Sequence, residues 1–134
     1  RGVTPFWVAD IFRLILLLTF SGLVRDVTGG LQGMEIEHYP GMTEAALRTI
    51  ATEAQDRWDL ADVLVIHRFG RLRPGDQIMM VATSSPHRAD AFAAADFLMD
   101  YLKTDAPFWK KEAGAQGDQW VQSRESDHER AERW

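Results

Sequence analysis

The apolar positions of this chain follow two periods. From Leu14 to Leu18 the chain is continuously apolar, and Thr19 and Phe20 extend the run. This is far short of the ~20 residues a membrane-spanning helix needs. Asp10 ahead of it, and no small-residue cleavage pattern behind it, argue against a secretory leader. The run predicts a buried core strand from Arg13 to Gly22. Asp26 to Gly33, with Gly29, Gly30 and Gly33, predicts a loop or hairpin tip. Met34 to Tyr39 predicts a second strand, and Pro40-Gly41 a turn.

The period then changes. Leu47, Ile50, Ala51, Ala54 and Trp58 fall at helical spacing behind Thr43, an expected N-cap, with Glu44 in the first turn. Val63 to Phe69 and Gln77 to Thr83 predict two strands paired as a hairpin around the turn signal Arg73-Pro-Gly-Asp76. Ser84-Ser85-Pro86 opens a second helix, with Ser85 as N-cap and Pro86 at its first position. Its buried stripe is Ala91, Phe92, Ala95, Leu98, Met99 and Leu102. Beyond Trp109 the chain is polar. Gln119 to Gln122 predicts a short strand, and Ser126 to Trp134 a charged helical or frayed tail. Interleaved strands and helices place the fold among α+β or α/β proteins.

The length of 134 residues fits one domain, spanning 1–134, with a sizeable core. Hydrophobic residues at 46% and charged residues at 26% match a soluble globular protein, and a cytoplasmic location is expected. The chain has no cysteine. Disulfides, thiolate metal sites and a cysteine nucleophile are excluded, and any sulfur chemistry must import its sulfur. The net charge of −5 argues against nucleic acid as a partner.

Against that acidic background, Met99-Asp-Tyr-Leu-Lys-Thr-Asp-Ala-Pro-Phe-Trp-Lys-Lys111 stands out. Lys103 closes an apolar helix pattern, Pro107 breaks it, and two aromatics lead to Lys110 and Lys111. Three ammonium groups near one bend suit a specific anionic ligand, and lysines beside aromatics are candidates for acid–base or nucleophilic work. Lysines near a helix C-terminus also simply favour the helix dipole. At Ser85-Pro-His-Arg88, His87 and Arg88 fall in an expected first helical turn, whose free N–H groups favour an anion. The plainer alternative is that both face solvent or pair with Asp90. Arg25, at a strand end beside the glycine-rich loop, suits bidentate anion recognition but is also a common surface residue. His38 and His67 lie in expected strands. The four histidines show no metal-ligand spacing, and no phosphate-cradling glycine motif is present, so neither a metal site nor a cofactor is expected. Asp56, Asp59 and Asp62 read as solvated or capping carboxylates, and Phe108 and Trp109 as packing residues.

Several blocks in order resemble the catalytic (large) subunit family of molybdopterin synthase. They are Phe20-Ser-Gly-Leu-Val-Arg25, Glu37-His-Tyr-Pro-Gly-Met-Thr-Glu44, Ile66-His-Arg-Phe-Gly70, Pro74-Gly-Asp76, Ser85-Pro-His-Arg88, Met99 to Glu112 and Arg124-Glu-Ser-Asp127. The resemblance runs from about Leu14 onward. Residues 1–12 are atypical, and 128–134 form a charged tail. The resemblance implies an α/β hammerhead-like α+β fold with an additional small antiparallel sheet.

It also implies a sulfur transferase that converts cyclic pyranopterin monophosphate to molybdopterin. The sulfur would come from the thiocarboxylated C-terminal Gly-Gly of a small ubiquitin-like subunit, with a homodimer at the centre of a heterotetramer. By the same resemblance Lys103 and Lys110 are catalytic, and Leu23, Val24, Arg25, His87, Arg88, Lys103, Lys110, Lys111 and Glu112 bind substrate. The His-Arg pair sometimes acts across the dimer interface. Some members carry Lys where this chain has Leu23, so contact there falls to the backbone. The competing expectation is a non-catalytic module that holds a carboxylate tail or phosphometabolite.

Overall fold

The structure is a computed structural model. It describes residues 15–25, 31–114, 117–121 and 125–134, and of 31–32 and 109–121 the backbone alone. The expectations for residues 1–14, for 26–30 of the glycine-rich loop and for Arg124 lie outside the described residues.

Strands β1 (Leu16–Leu23), β5 (Gln77–Ser85) and β3 (Asp62–His67) form an antiparallel sheet in the order β1-β5-β3. Strands β4 (Gly70–Leu72), β2 (Leu31–His38), β6 (Phe108–Gly114) and β7 (Gly117–Val121) form a second antiparallel sheet, in the order β4-β2-β6-β7. Helices α1 (Met42–Arg57) and α2 (Arg88–Thr104) pack on one face of the first sheet, and the short α3 (Glu125–Ala131) packs on α2. The class is α+β, and the expected additional sheet is four-stranded. Among the described residues no helix is long and apolar enough to cross a membrane.

The main core lies between sheet and helices. Ile50 and Ala54 of α1 meet Met79 and Val81 of β5 and Ala95, Phe97, Leu98 and Leu102 of α2. Burying each large aliphatic side chain there contributes roughly 1.5–3 kcal/mol before entropy is counted. A smaller core of Val24, Ile36 and Leu72 lies under the second sheet, and Phe108 and Ile78 pack against both. The expected hairpin forms as the β3–β5 pair, and its connection supplies β4 to the other sheet. Pro74 and Gly75 occupy the central positions of the turn that re-enters β5. Gly75 has φ of 89°, and the Asp76 N–H donates to the Arg73 carbonyl at 3.0 Å. That positive φ favours glycine there.

Four expectations need correction. The Leu14–Leu18 run does make a strand, but β1 is an edge strand rather than a buried one, with Leu17 70% exposed. Its helix-facing Leu18 packs against the core, while Leu17 shares an open face with Leu64 and Ile66 of β3. Thr43 does not cap α1. The helix starts at Met42 behind Gly41, whose φ is 81°, and Thr43 is buried inside the first turn. Ser85 does not cap α2 and Pro86 is not its first residue. Ser85 ends β5, and the N-cap is His87 in an extended conformation. Ser85 stays in the strand because its hydroxyl donates to the Asp59 carbonyl at 2.5 Å while accepting the His87 N–H at 3.0 Å. Finally, Phe92 is exposed, its expected place in the stripe going to Ala94 and Phe97.

Two further boundaries move. Leu31 to Gly33 belong to β2 rather than to a loop, and β7 begins at Gly117. Strand β6 lies where the polar composition had suggested no element.

Candidate functional site

Helix α2 carries candidate residues at both ends. Its N-terminus is built on the Ser85 hydroxyl, which ties the end of β5 to the chain following α1. This leaves His87 and Arg88 exposed at the N-cap and first helical positions. His87 Nε2 lies 3.3 Å from Asp59 Oδ2, so its partner is Asp59 rather than Asp90. Asp90 instead accepts the Asp59 backbone N–H, at 3.3 Å. Asp59, expected to be a solvated or capping carboxylate, is thus the histidine's neighbour.

Lys103 lies in the last turn of α2, exposed and engaged in local interactions. It lines a cavity of about 590 Å³ between β1, α2 and α3. Leu18, Phe20, Phe92 and Met99 give that cavity an apolar wall, and Asp127, Arg130 and Trp134 close it from the α3 side. A depression of about 610 Å³ on the outer face of α1 is lined by Glu44, Arg48, Thr52 and Asp56 and by none of the candidate residues. The Lys103 cavity is therefore the relevant one.

Pro107 ends the helical region as expected, but Lys110, Lys111 and Glu112 follow in β6 rather than at a bend. The register places Lys110 opposite Ile36 and Lys111 opposite Glu35, with Arg71 on the far side of Glu35. Successive residues of a strand alternate between faces. Lys110 and Lys111 therefore occupy alternate positions along β6.

At the end of β1, Leu23 is exposed and Val24 is buried in the smaller core. The Val24 N–H donates to the Asp76 carbonyl and its own carbonyl accepts the Gly75 N–H, both at 2.8 Å. This pins the exposed Arg25 beside the Arg73–Asp76 turn. The two ends of α2 do not meet. From Arg88 to Lys103 the helix rises about 22 Å at 1.5 Å per residue, too far for one small substrate to touch both within a single chain.

Asp100, one turn before Lys103, escaped the sequence reading. Its carboxylate is almost fully buried and receives Trp134 Nε1 at 2.6 Å, Arg133 Nη2 at 3.0 Å and Arg130 Nε at 3.3 Å. Burial pushes this carboxyl up, but the hydrogen bonds from Trp134, Arg133 and Arg130 outweigh it and hold it below the usual carboxylate range. Asp96, one turn earlier, pairs with both arginines. The sequence held a signal for this. Asp96 and Asp100 are four apart on α2 and so share one face, while Arg130 and Arg133 are three apart at and just beyond the end of α3. Among the described residues no group of three or more His, Asp or Glu is arranged to hold a metal ion.

Residues 16–105 match the family described as MoaE protein. This chain belongs to the MoaE family. It is 63% identical over 118 residues to the molybdopterin synthase catalytic subunit of Cereibacter sphaeroides, a match covering 88% of this chain and 81% of that protein. It is 52% identical over 130 residues to the protein of the same name from Escherichia coli K12, covering 96% and 87%. Among solved structures it is similar to the molybdopterin biosynthesis MoaE protein from Burkholderia ambifaria. There the TM-score is 0.76 and the identity 48%, over 100% of this chain and 92% of that one. The family match ends at Thr104 and Asp105, just beyond Lys103, so β6 and α3 lie outside it while the pairwise relatives extend further.

Proposed function

We propose that this MoaE chain is the catalytic subunit of a molybdopterin synthase that transfers sulfur to cyclic pyranopterin monophosphate. Relatives that carry the catalytic-subunit name at 52% and 63% identity support the reading. The chain has no cysteine, so sulfur must arrive from outside. In this reading it comes as a thiocarboxylate on the C-terminal Gly-Gly of a small ubiquitin-like carrier. Each of two carriers gives one sulfur: a C–S bond forms at a pterin side-chain carbon as a C–O bond there breaks, water cleaves the acyl carbon–sulfur bond, and the carrier departs as a carboxylate. Lys103 holds the thiocarboxylate and stabilises charge developing during transfer. Lys110 contacts the phosphate or donates a proton, and Lys111 and Glu112 complete the rim. Leu23 and Val24 form the adjoining edge. Arg25, His87 and Arg88 grip the pterin and its phosphate. A cytoplasmic location belongs to this reading.

The observation that carries it furthest is the separation of about 22 Å between Arg88 and Lys103 along α2. If both serve one substrate, the site takes opposite ends of α2 from two copies of the chain. The open face of the first sheet offers a surface for that second copy, with Leu17, Leu64 and Ile66 exposed at 70%, 46% and 47%. Soluble proteins rarely leave a contiguous apolar face of this kind uncovered.

Complementation tests the arrangement. Lys103→Ala and Arg88→Ala chains, each inactive alone, are mixed with thiocarboxylated carrier and the cyclic pterin. In a twofold dimer the hybrid contains one intact site, so random mixing should restore about a quarter of full turnover. A mixture as inactive as its components, despite shown subunit exchange, rules out a shared site. Dithiolene formation by neither wild-type chain nor mixture rules out the activity.

A further inference from the structure

The group of buried and charged side chains that the reaction does not use directly is the Asp100 cluster. It joins three elements. Asp100 belongs to the same last turns of α2 as Lys103. Arg130 comes from α3, and Arg133 and Trp134 from the residues following it. The Trp134 ring is seated edge-on against Trp58 and Phe97, at 5.6 Å from each, so the segment is fixed by packing as well as by charge. The Thr104 hydroxyl donates to the Asp100 carbonyl at 2.7 Å, which ties the same residue to the end of the helix.

The location gives this cluster a consequence for the site. Trp134 and Arg130 are at once partners of the Asp100 carboxylate and walls of the cavity that Lys103 lines. Without the carboxylate, the Trp134 indole N–H would lose its acceptor, and Arg130 and Arg133 would keep only Asp96 as a shared anion. Held from one carboxylate instead of two, Arg130 would turn more readily toward an anion entering beside Lys103. The α3 wall, still packed through Trp134, would be held less tightly.

We propose that Asp100 is a positioning residue of this enzyme: its carboxylate clamps the 125–134 segment to the end of α2 and so shapes the slot beside Lys103 that receives the carrier's tail. This rests on the assignment of Lys103 to that tail under the proposed function. Asp100 does not touch the reacting atoms. It acts through Arg130, Arg133 and Trp134, and its loss should be felt as poorer capture of the tail rather than slower chemistry.

The test is steady-state kinetics on the full chain with thiocarboxylated carrier and cyclic pterin. Asp100→Asn keeps the side chain's size and removes its charge. It should raise KM for the carrier ~5–10-fold, leaving kcat at saturating carrier within about twofold and KM for the pterin unchanged, the pattern expected when ground-state and transition-state binding are lost equally. Arg133→Gln, at a half-exposed position, should move the carrier KM the same way by ~2–4-fold, and Arg133→Lys should recover most of that loss. A folded Asp100→Asn with wild-type carrier KM overturns the proposal, as does a drop in kcat at unchanged KM. Should Asp100→Asn fail to fold by circular dichroism, Arg133→Gln decides by the same criteria. The affinity of unthiolated carrier, measured by calorimetry, needs no turnover. If Lys103→Ala retains turnover, the catalytic assignment fails by itself. An Asp100→Asn chain with weakened carrier affinity then upholds the clamp, and one with wild-type affinity removes it.

Discussion

Trp134 Nε1 donates to Asp100 Oδ2 at 2.6 Å, joining residues 34 positions apart through a carboxylate that is only 4% exposed. The bond helps keep Asp100 ionised in the fold. Its carboxyl lies below the ordinary value of 3.8 when folded and returns to that value on unfolding. A depressed carboxyl contributes stability that is fully present above the unfolded value and is lost as pH falls through the folded one. Thermal melts should therefore show wild type and Asp100→Asn separated by a constant gap from pH 5 to 7. That gap should narrow below pH 4, as protonation removes from wild type what the substitution has already removed. A gap constant down to pH 2 would mean that the Asp100 charge contributes nothing to the fold.

Ser85 provides a second case of a side chain holding two segments at once. Its hydroxyl is fully buried and satisfies both the Asp59 carbonyl and the His87 N–H. Ser85→Ala leaves both groups without that partner, which should cost ~1–3 kcal/mol in chemical denaturation. It should also raise KM for the pterin, because the extended backbone of His87 loses its anchor. A variant as stable as wild type would show that water replaces the hydroxyl without loss.

How far these relationships were legible in the sequence depends on their range. Lys103 at the end of a helix broken by Pro107 was readable, because stripe and breaker are local. The start of α2 was misplaced by two residues. Ser85-Pro86 is a good local start signal, but a hydrogen bond to Asp59, 26 residues earlier, keeps Ser85 in the strand. Strand β6 gave no signal, since Lys110, Lys111 and Glu112 have weak strand preference. Pairing with β2 overrides that preference, with Glu35 between Lys111 and Arg71 across the sheet. The Leu14–Leu18 run was readable as a strand, but an apolar run does not say whether its second face is covered by its own chain. The Asp100 clamp draws on residues 30 to 34 positions away; spacing within each pair was readable, but periodicity does not say that the two pairs meet.

Lys103 itself should prove dispensable to the fold. A lysine in the last turn of a helix gains ~0.3–1 kcal/mol from the dipole. Lys103→Ala should therefore melt within a few degrees of wild type and still bind the carrier. Its kcat should fall ~100-fold or more, the scale seen when one charge-stabilising group is removed from a reaction centre. Single-turnover product formation measures this without interference from product release. Turnover within a few-fold of wild type would remove Lys103 from the chemistry and move attention to Lys110.

The exposed face of the first sheet bears on assembly. Leu17 is opposite Ser84 of β5, and Leu64 is opposite Ala82. These positions lie on the side of the sheet away from α1 and α2. Leu17→Asp changes a side chain that is 70% exposed, so the isolated chain should lose little stability. At an interface between two copies, the same change buries an unpaired carboxylate on each side of a twofold axis, a cost of several kcal/mol. Light scattering at micromolar concentration should then find wild type as a dimer and Leu17→Asp as a folded monomer. If α2 serves one site from two chains, that monomer should also fail to make product while still binding the carrier beside Lys103. A Leu17→Asp chain that remains dimeric would assign the contact between copies to another surface. A monomeric chain with full turnover would instead separate assembly from activity and confine the reaction to one end of α2.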